Sequence, residues 1–297
     1  MKIVNFFSYK GGAGRSTLAY NIIPILAAEH YHPTKESPMI LVDTDADSCG
    51  MSVLARASDK VKADACVQYL LENGCPRVRC ASISEHPFLK KLIPVGNAYG
   101  QEDNDAILLL PAMHHKSMGY SDQGKGFGQA MDDFRKACQD FRVPAIVIDS
   151  AVGDTALANV SNNAADVIVT CMRPTLQFTN GTYQYFCDLE DGASSINPGK
   201  DFILVPNVVP QRSTTINGMY YPDTAVSKIR NDFLTRFEDS FEHTYHFDLL
   251  DQDEFGIPAL DRFMWREDSL FLQDNLNEEE ERVLSIYRKL ANLIDEI

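Results

Sequence analysis

Lys2-Ile3-Val4-Asn5-Phe6-Phe7-Ser8-Tyr9-Lys10-Gly11-Gly12-Ala13-Gly14-Arg15-Ser16-Thr17-Leu18 decides the fold. An apolar run reading as a buried strand, Lys2 to Ser8, enters a glycine-rich turn. An apolar face with helical spacing follows, on Leu18, Ile22, Ile25 and Leu26, so Ser16 to Glu29 reads as a helix. A strand, a glycine loop and a helix in that order suit an anion. Successive backbone N–H groups line such a loop, and the helix N-terminus adds roughly half a positive charge. Gly11, Gly12 and Gly14 permit the tight path, and Ser16 is placed to offer a hydroxyl to Mg²⁺. Pro24 falls inside the helix and should bend or shorten it. A glycine-rich turn that binds nothing is the plain alternative for the loop taken by itself.

Working outward, short β-type runs alternate with longer helical stretches, which predicts βαβ crossovers and one mostly parallel sheet with helices on both faces. Strands are expected at Met39–Val42, Ala106–Leu110, Ala145–Ile148, Asp166–Cys171 and Phe202–Val205, with Thr244–Leu249 as a possible last one and Phe88–Val95 as a strand or edge segment. Helices are expected at Val61–Leu71, Gly128–Phe141, Thr182–Asp191 and Ala225–Phe241. His114–Gly128 reads as a mobile loop and Gly96–Asp105 as polar turns. The tail from Glu278 places Val283, Ile286, Tyr287, Leu290, Leu293 and Ile294 at helical spacing. No Pro/Gly/Ser linker divides the chain, so residues 1–297 read as a single domain.

Two strands deliver carboxylates to their C-terminal ends. Ile40-Leu41-Val42 runs into Asp43-Thr44-Asp45, and Ala145-Ile146-Val147-Ile148 runs into Asp149, with Gly153 shortly after. Ligands of open α/β sheets collect at such ends.

At this point the sequence resembles a known family. Lys10-Gly11-Gly12-Ala13-Gly14-Arg15-Ser16-Thr17 is similar to the deviant Walker-A box of the ParA/MinD P-loop ATPases, with Arg15 where the family has its main P-loop lysine. The resemblance implies a Mg²⁺-ATP site, with Gly11, Gly12, Ala13, Gly14, Arg15, Ser16 and Thr17 on the nucleotide. It makes Lys10 the residue that reaches across an ATP-bound homodimer, Asp45 the catalytic carboxylate, and Asp43 its support near the metal. Asp149 takes the Walker-B role on a Mg²⁺-bound water, with Ser16 as a further metal ligand and the Gly153 N–H as a γ-phosphate sensor. Ala151 and Val152 depart from the prolines usual there. Leu204-Val205-Pro206-Asn207 resembles the strand ending in an adenine-binding Asn, and Gly256-Ile257-Pro258 the turn that covers the base. Residues 55–105 and 211–250 lie outside the resemblance. Arginine is longer, planar and forked, so the exchange at position 15 bears on hydrolysis more than on binding.

The implied activity is an ATP-dependent dimerisation switch, a slow ATPase, acting on a protein partner. Alternatives are a nucleotide-binding subunit with impaired hydrolysis and an ATP-dependent metabolic enzyme on the same fold. The net charge of −15 argues against nonspecific DNA and against anionic membrane. No run of ~18 apolar residues would span a bilayer. Glu278 to Glu281 make the tail helix acidic, unlike a membrane-targeting one. The seven cysteines, an odd number, suggest reduced thiols and a cytoplasmic setting. Cys75 and Cys80, with Cys66 and His86, could hold a metal, but ordinary thiols are the simpler reading. The His114–His115 and His243–His246 pairs read as loop or solvent histidines, and Trp265 as core.

Overall fold

The computed structural model describes residues 1–114, 124–191, 199–210, 215–216, 219–220, 223–237, 244–246, 256–264, 266 and 268–297. In chain order the strands are β1 (Lys2–Phe7), β2 (Met39–Asp43), β3 (Ile93–Pro94), β4 (Ile107–Leu110), β5 (Ala145–Asp149), β6 (Val167–Met172), β7 (Asp201–Val209), the hairpin β8 (Thr215–Ile216) and β9 (Met219–Tyr220), then β10 (Thr244–His246) and β11 (Ile257–Pro258). The helices are α1 (Arg15–Ile25), α2 (Gly50–Leu54), α3 (Val67–Asn73), α4 (Gly124–Asp140), α5 (Ala156–Ala164), α6 (Leu176–Glu190), α7 (Asp223–Phe237) and α8 (Glu278–Glu296).

One sheet of nine strands carries the fold in the order β10-β7-β6-β1-β5-β2-β4-β3, with β11 pairing alongside β7. All pairings in it are parallel except β3 with β4. β1 is central, and the chain fills the sheet first on its β5 side and then on its β6 side. That reversal of strand order puts the loop after β1 at a switch point, where α/β sheets open a crevice.

Strand alternation sorts the core into two layers. Val4, Phe6, Leu41, Val147, Val169 and Ile203 face α1 and α8. Ile3, Phe7, Ile40, Ile146, Ile168 and Leu204 face the layer holding α3, α4, α5 and α6. Helices on both faces of a mostly parallel sheet are the architecture expected from the sequence. The tail periodicity is explained too: Val283, Ile286, Tyr287, Leu290 and Ile294 are buried. The apolar face of α8 is therefore spent on the body. Among the described residues no helix is long and apolar enough to cross a membrane.

Several segments differ from the sequence reading. The helix expected over Val61–Leu71 starts only at Val67, whose N–H donates to Pro111 O, and Cys66 before it is extended. Most of Phe88–Val95 is not strand. His86 Nδ1 accepts from the N–H groups of Phe88 and Leu89 and sets a 3₁₀ turn over Leu89–Lys91, leaving Ile93–Pro94 as a short antiparallel edge. α4 begins at Gly124, inside the expected loop. α6 begins at Leu176 rather than Thr182 and includes Gly181, which packs against the Tyr9 ring. Pro24 leaves α1 intact to Ile25, after which the chain runs on as a π-helix to Tyr31. His115, His243 and Trp265 lie outside the described residues, as do residues 238–241 of the expected α7 and 247–249 of the expected last strand.

Candidate functional site

β1 ends at Phe7, and the chain turns through Ser8–Gly14 into α1. Gly12 and Gly14 take φ of +83° and +80°, left-handed values that a side chain would strain. Gly14 is the N-cap of α1 and supplies no side-chain cap, so the first N–H groups of the helix stay open to a ligand. A cavity of about 430 Å³ lies against the loop, lined by Gly11 to Thr17, Asp45, Ser48 and Val152 among others.

The parallel register of β2 and β5 sets Asp43 beside Asp149 at the same end of the sheet as the loop. Asp43 is fully buried and accepts from the Ser52 N–H and hydroxyl and from the Asp45 N–H. Burial first, and then the nearby Asp149 charge, push its carboxyl up to about 7. Asp45 accepts from the Asp47 and Ser48 N–H groups and the Ser48 hydroxyl.

Arg15 lies between the two outer carboxylates. Its Nε donates to Asp149 Oδ1 at 2.5 Å and its Nη2 to Asp45 Oδ2 at 2.7 Å, and all three side chains are nearly inaccessible. Burial opposes the guanidinium charge, but the Asp149 and Asp45 carboxylates outweigh it and raise the pKa. Burial likewise pushes the Asp45 carboxyl up, yet Arg15 holds it below the ordinary carboxylate range.

Two polar atoms in this cluster are buried with no partner: Arg15 Nη1 and Asp149 Oδ2. An orphaned donor suits an anion, and an orphaned carboxylate oxygen suits a cation. Ser16 Oγ lies on the same side as Asp149 Oδ2. A Cβ built on Gly50 would come within 2.5 Å of the hydroxyl and 3.6 Å of the carboxylate oxygen. Only glycine leaves that space clear, and its oxygen donors are the hard set that Mg²⁺ takes. The residues present therefore fit a phosphate group and a divalent cation. Gly50 was not singled out in the sequence, because its importance lies in what it touches across the fold.

Other expected site residues are placed as follows. Lys10 stands at the lip of the loop, pairs with no carboxylate among the described residues, and has Cε beside Gly181 of α6. Gly153 N–H donates to Ser8 O, and the Ala151 N–H donates to Thr44 Oγ1, so the loop after β5 is tied to those after β1 and β2. Asn207 is buried under the loop between β1 and α1. Its Nδ2 donates to Ala13 O at 2.9 Å and approaches Cys171 Sγ, and its Oδ1 accepts the Val208 N–H. The Cys171 thiol, pushed up to about 12 by burial, also donates to Ala13 O. Val208 has φ of +57°, a strained value for a β-branched residue. Pro258 in β11 pairs with Val209 and so stands next to Asn207 at the end of β7. His86, weighed above as a metal ligand, caps the turn after it and has Nε2 on Pro76 O.

No protein-family model matches the chain, and no curated protein matches it. Solved structures do. MinD cell division protein from Aquifex aeolicus aligns over 98% of this chain and 98% of its own, at 15% identity and TM-score 0.59. The ATP complex of a Cyanothece McdA variant aligns over 100% and 95%, at 14% identity and TM-score 0.61. Cobyrinic acid a,c-diamide synthase from Mycobacterium smegmatis, with bound ATP analog and magnesium, aligns over 98% and 93%, at 16% identity and TM-score 0.61. The chain has the fold of the MinD- and ParA-type P-loop proteins.

Proposed function

We propose that the chain binds Mg²⁺-ATP at the Lys10–Thr17 loop and works as an ATP-dependent homodimerisation switch for a protein partner. The observation that carries this is the convergence of the loop and Asp45 on one cavity, with Asp149 joined to Asp45 through Arg15 and with one buried donor and one buried acceptor left unpaired. Neighbours of the same fold hold ATP, or an ATP analog with magnesium.

In this reading the N–H groups of Gly11, Gly12, Ala13 and Gly14 and the Nη1 of Arg15 take phosphate oxygens. Ser16 and Asp149 would hold Mg²⁺ directly or through water, with Asp43 behind them. Bound there, the ion neutralises charge on the phosphates. Asp45 orients water, Thr17 closes the loop, and Asn207 and Pro258 border the base. A γ-phosphate competes with Ser8 O for the Gly153 N–H, which gives the loop after β5 two hydrogen-bonding states. Lys10, paired with no carboxylate among the described residues, is available to a second copy. To move a population from 1:99 to 99:1 the nucleotide must favour the dimer by ~5.5 kcal/mol. The seven unpaired thiols support a cytoplasmic setting.

Light-scattering mass of the purified chain without nucleotide, with Mg²⁺-ADP and with Mg²⁺-ATP tests the switch. We expect a dimer only with ATP, lost in Lys10→Ala and longer-lived in Asp45→Ala. A mass indifferent to nucleotide would sink the reading.

A second reading, a nucleotide-binding subunit with impaired hydrolysis, has its own observation. Both Asp45 oxygens are already engaged, by Arg15, Ser48 and backbone N–H groups, so none is left for a water. Arg15→Lys would then raise phosphate release over the native chain; equal rates would count against it.

A further inference from the structure

The guanidinium of Arg15 neutralises two buried carboxylates. It contacts Asp149 Oδ1 and Asp45 Oδ2 at once, from inside the protein. Asp45 is saturated by those contacts and its local N–H donors, and Asp149 keeps only Oδ2. A hard divalent ion at Asp149 Oδ2 and Ser16 Oγ would share the Asp149 carboxylate with the guanidinium. It also has the sign of the guanidinium, and in a pocket of low dielectric two cations on one carboxylate pair repel strongly. Lysine could not make this bridge as well, since an ammonium is a point charge, whereas the planar fork of arginine spans two acceptors.

We propose that in the nucleotide-free protein Arg15 supplies the positive charge on Asp45 and Asp149 and so keeps a divalent cation from Asp149 Oδ2 and Ser16 Oγ, so that metal enters only with the nucleotide. The unspent Nη1 is the trigger. A phosphate oxygen accepting from it adds negative charge beside the guanidinium and lowers the cost of a second cation at Asp149 Oδ2 and Ser16 Oγ. The order of loading is then nucleotide first, metal second, and it is set by the arginine at position 15. The ordering rests on the nucleotide-binding reading above; the closure of the carboxylates by Arg15 does not.

The test uses the full chain without nucleotide and Mn²⁺ as the probe, with free Mn²⁺ read by electron paramagnetic resonance. Arg15→Met should bind Mn²⁺ at least about tenfold more tightly than the native chain, because one competing charge is gone. Arg15→Lys should fall between them. Mn²⁺ should raise the melting midpoint of Arg15→Met and leave the native midpoint unmoved. Equal Mn²⁺ affinity in native and Arg15→Met protein overturns the proposal. Should Arg15→Met fail to fold, Arg15→Lys against native decides by the same inequality. A fluorescent ATP analogue, titrated into the native chain with and without Mn²⁺, separates the two claims. Native Mn²⁺ binding that tightens when the analogue is present supports the order of loading. No analogue binding under either condition defeats the nucleotide reading and the order with it, while the Mn²⁺ inequality still stands or falls alone.

Discussion

Asp43 ends β2 in a place with no access to water, held by three hydrogen bonds and set beside Asp149. Its carboxyl, pushed up to about 7, lies above the ordinary ~3.9. The protonated form therefore favours folding, and that contribution is complete below pH ~4 and lost as the pH rises through about 7. The full loss amounts to about 4 kcal/mol at most. In metal-free buffer, urea unfolding at pH 5 and pH 8 should show the native chain losing more stability than Asp43→Asn across that interval. Parallel losses would mean that the carboxyl does not titrate there. Asn207 makes a second residue-scale case. Its amide is committed to Ala13 O, so Asn207→Ala should cost about 1–3 kcal/mol by leaving buried polar groups unpaired. ATP and GTP affinities should weaken alike; a selective loss of ATP would instead make Asn207 the reader of the base. Carboxylates at strand ends and glycines in the loop were legible because each is announced by its own neighbours in sequence. That Arg15 would bridge Asp45 and Asp149, or that any side chain at position 50 would crowd Ser16, was not. Those contacts join residues from different crossovers, and only the sheet order brings them together.

At the scale of elements, α6 shows why local preference misplaced a boundary. Glycine inside a helix costs up to ~1 kcal/mol against alanine, yet Gly181 lies within α6. In the fold it is a notch for Tyr9: a Cβ there would lie 2.7 and 2.9 Å from two atoms of the Tyr9 ring and 3.7 Å from Lys10 Cε. Tyr9 is further held by the ring of Tyr185, also on α6, at 5.8 Å between centroids. Gly181→Ala gains helix propensity but overfills the notch, and we expect a net loss of about 1–3 kcal/mol in thermal unfolding. The displaced Tyr9 carries Lys10 with it, so the ATP-dependent change in mass should weaken as well. An unchanged mass response alongside lower stability would free Lys10 from dependence on α6. The last helix is the opposite case, its extent and buried face legible from the spacing of its apolar residues. Asn277 and Glu280 form a capping box, and Glu280 also accepts from Arg262. Removing the cap with Asn277→Ala should cost about 1 kcal/mol in urea unfolding. The short segments between β2 and β4 were poorly legible for a related reason. Their turns depend on single tertiary bonds, such as Val67 N–H to Pro111 O, which leave no periodic mark.

Over the whole molecule, the fold alone does not select the partner. The same architecture occurs in a cell division protein and in cobyrinic acid a,c-diamide synthase. Charge narrows the choice. With 42 acidic against 27 basic residues, the chain meets the phosphate backbone of DNA with long-range repulsion. Affinity for nonspecific DNA comes almost wholly from Lys and Arg neutralising phosphates. On the described surface, basic side chains converge at a shallow cavity lined by Arg77, Arg79 and Lys136. Even there, Arg77 is already paired with Asp133, and Asp140 lines the same cavity. A duplex would have to break that pair before gaining a contact. Fluorescence anisotropy of a labelled random duplex, at ~150 mM salt and with or without Mg²⁺-ATP, should therefore show no binding up to the micromolar range typical of nonspecific sites. Binding that appeared only with ATP and fell steeply with salt would overturn this expectation. Its loss in an Arg77→Glu, Arg79→Glu double variant would then place the DNA on that cavity, and would show that dimerisation had concentrated enough local positive charge to overcome the acidity of the whole.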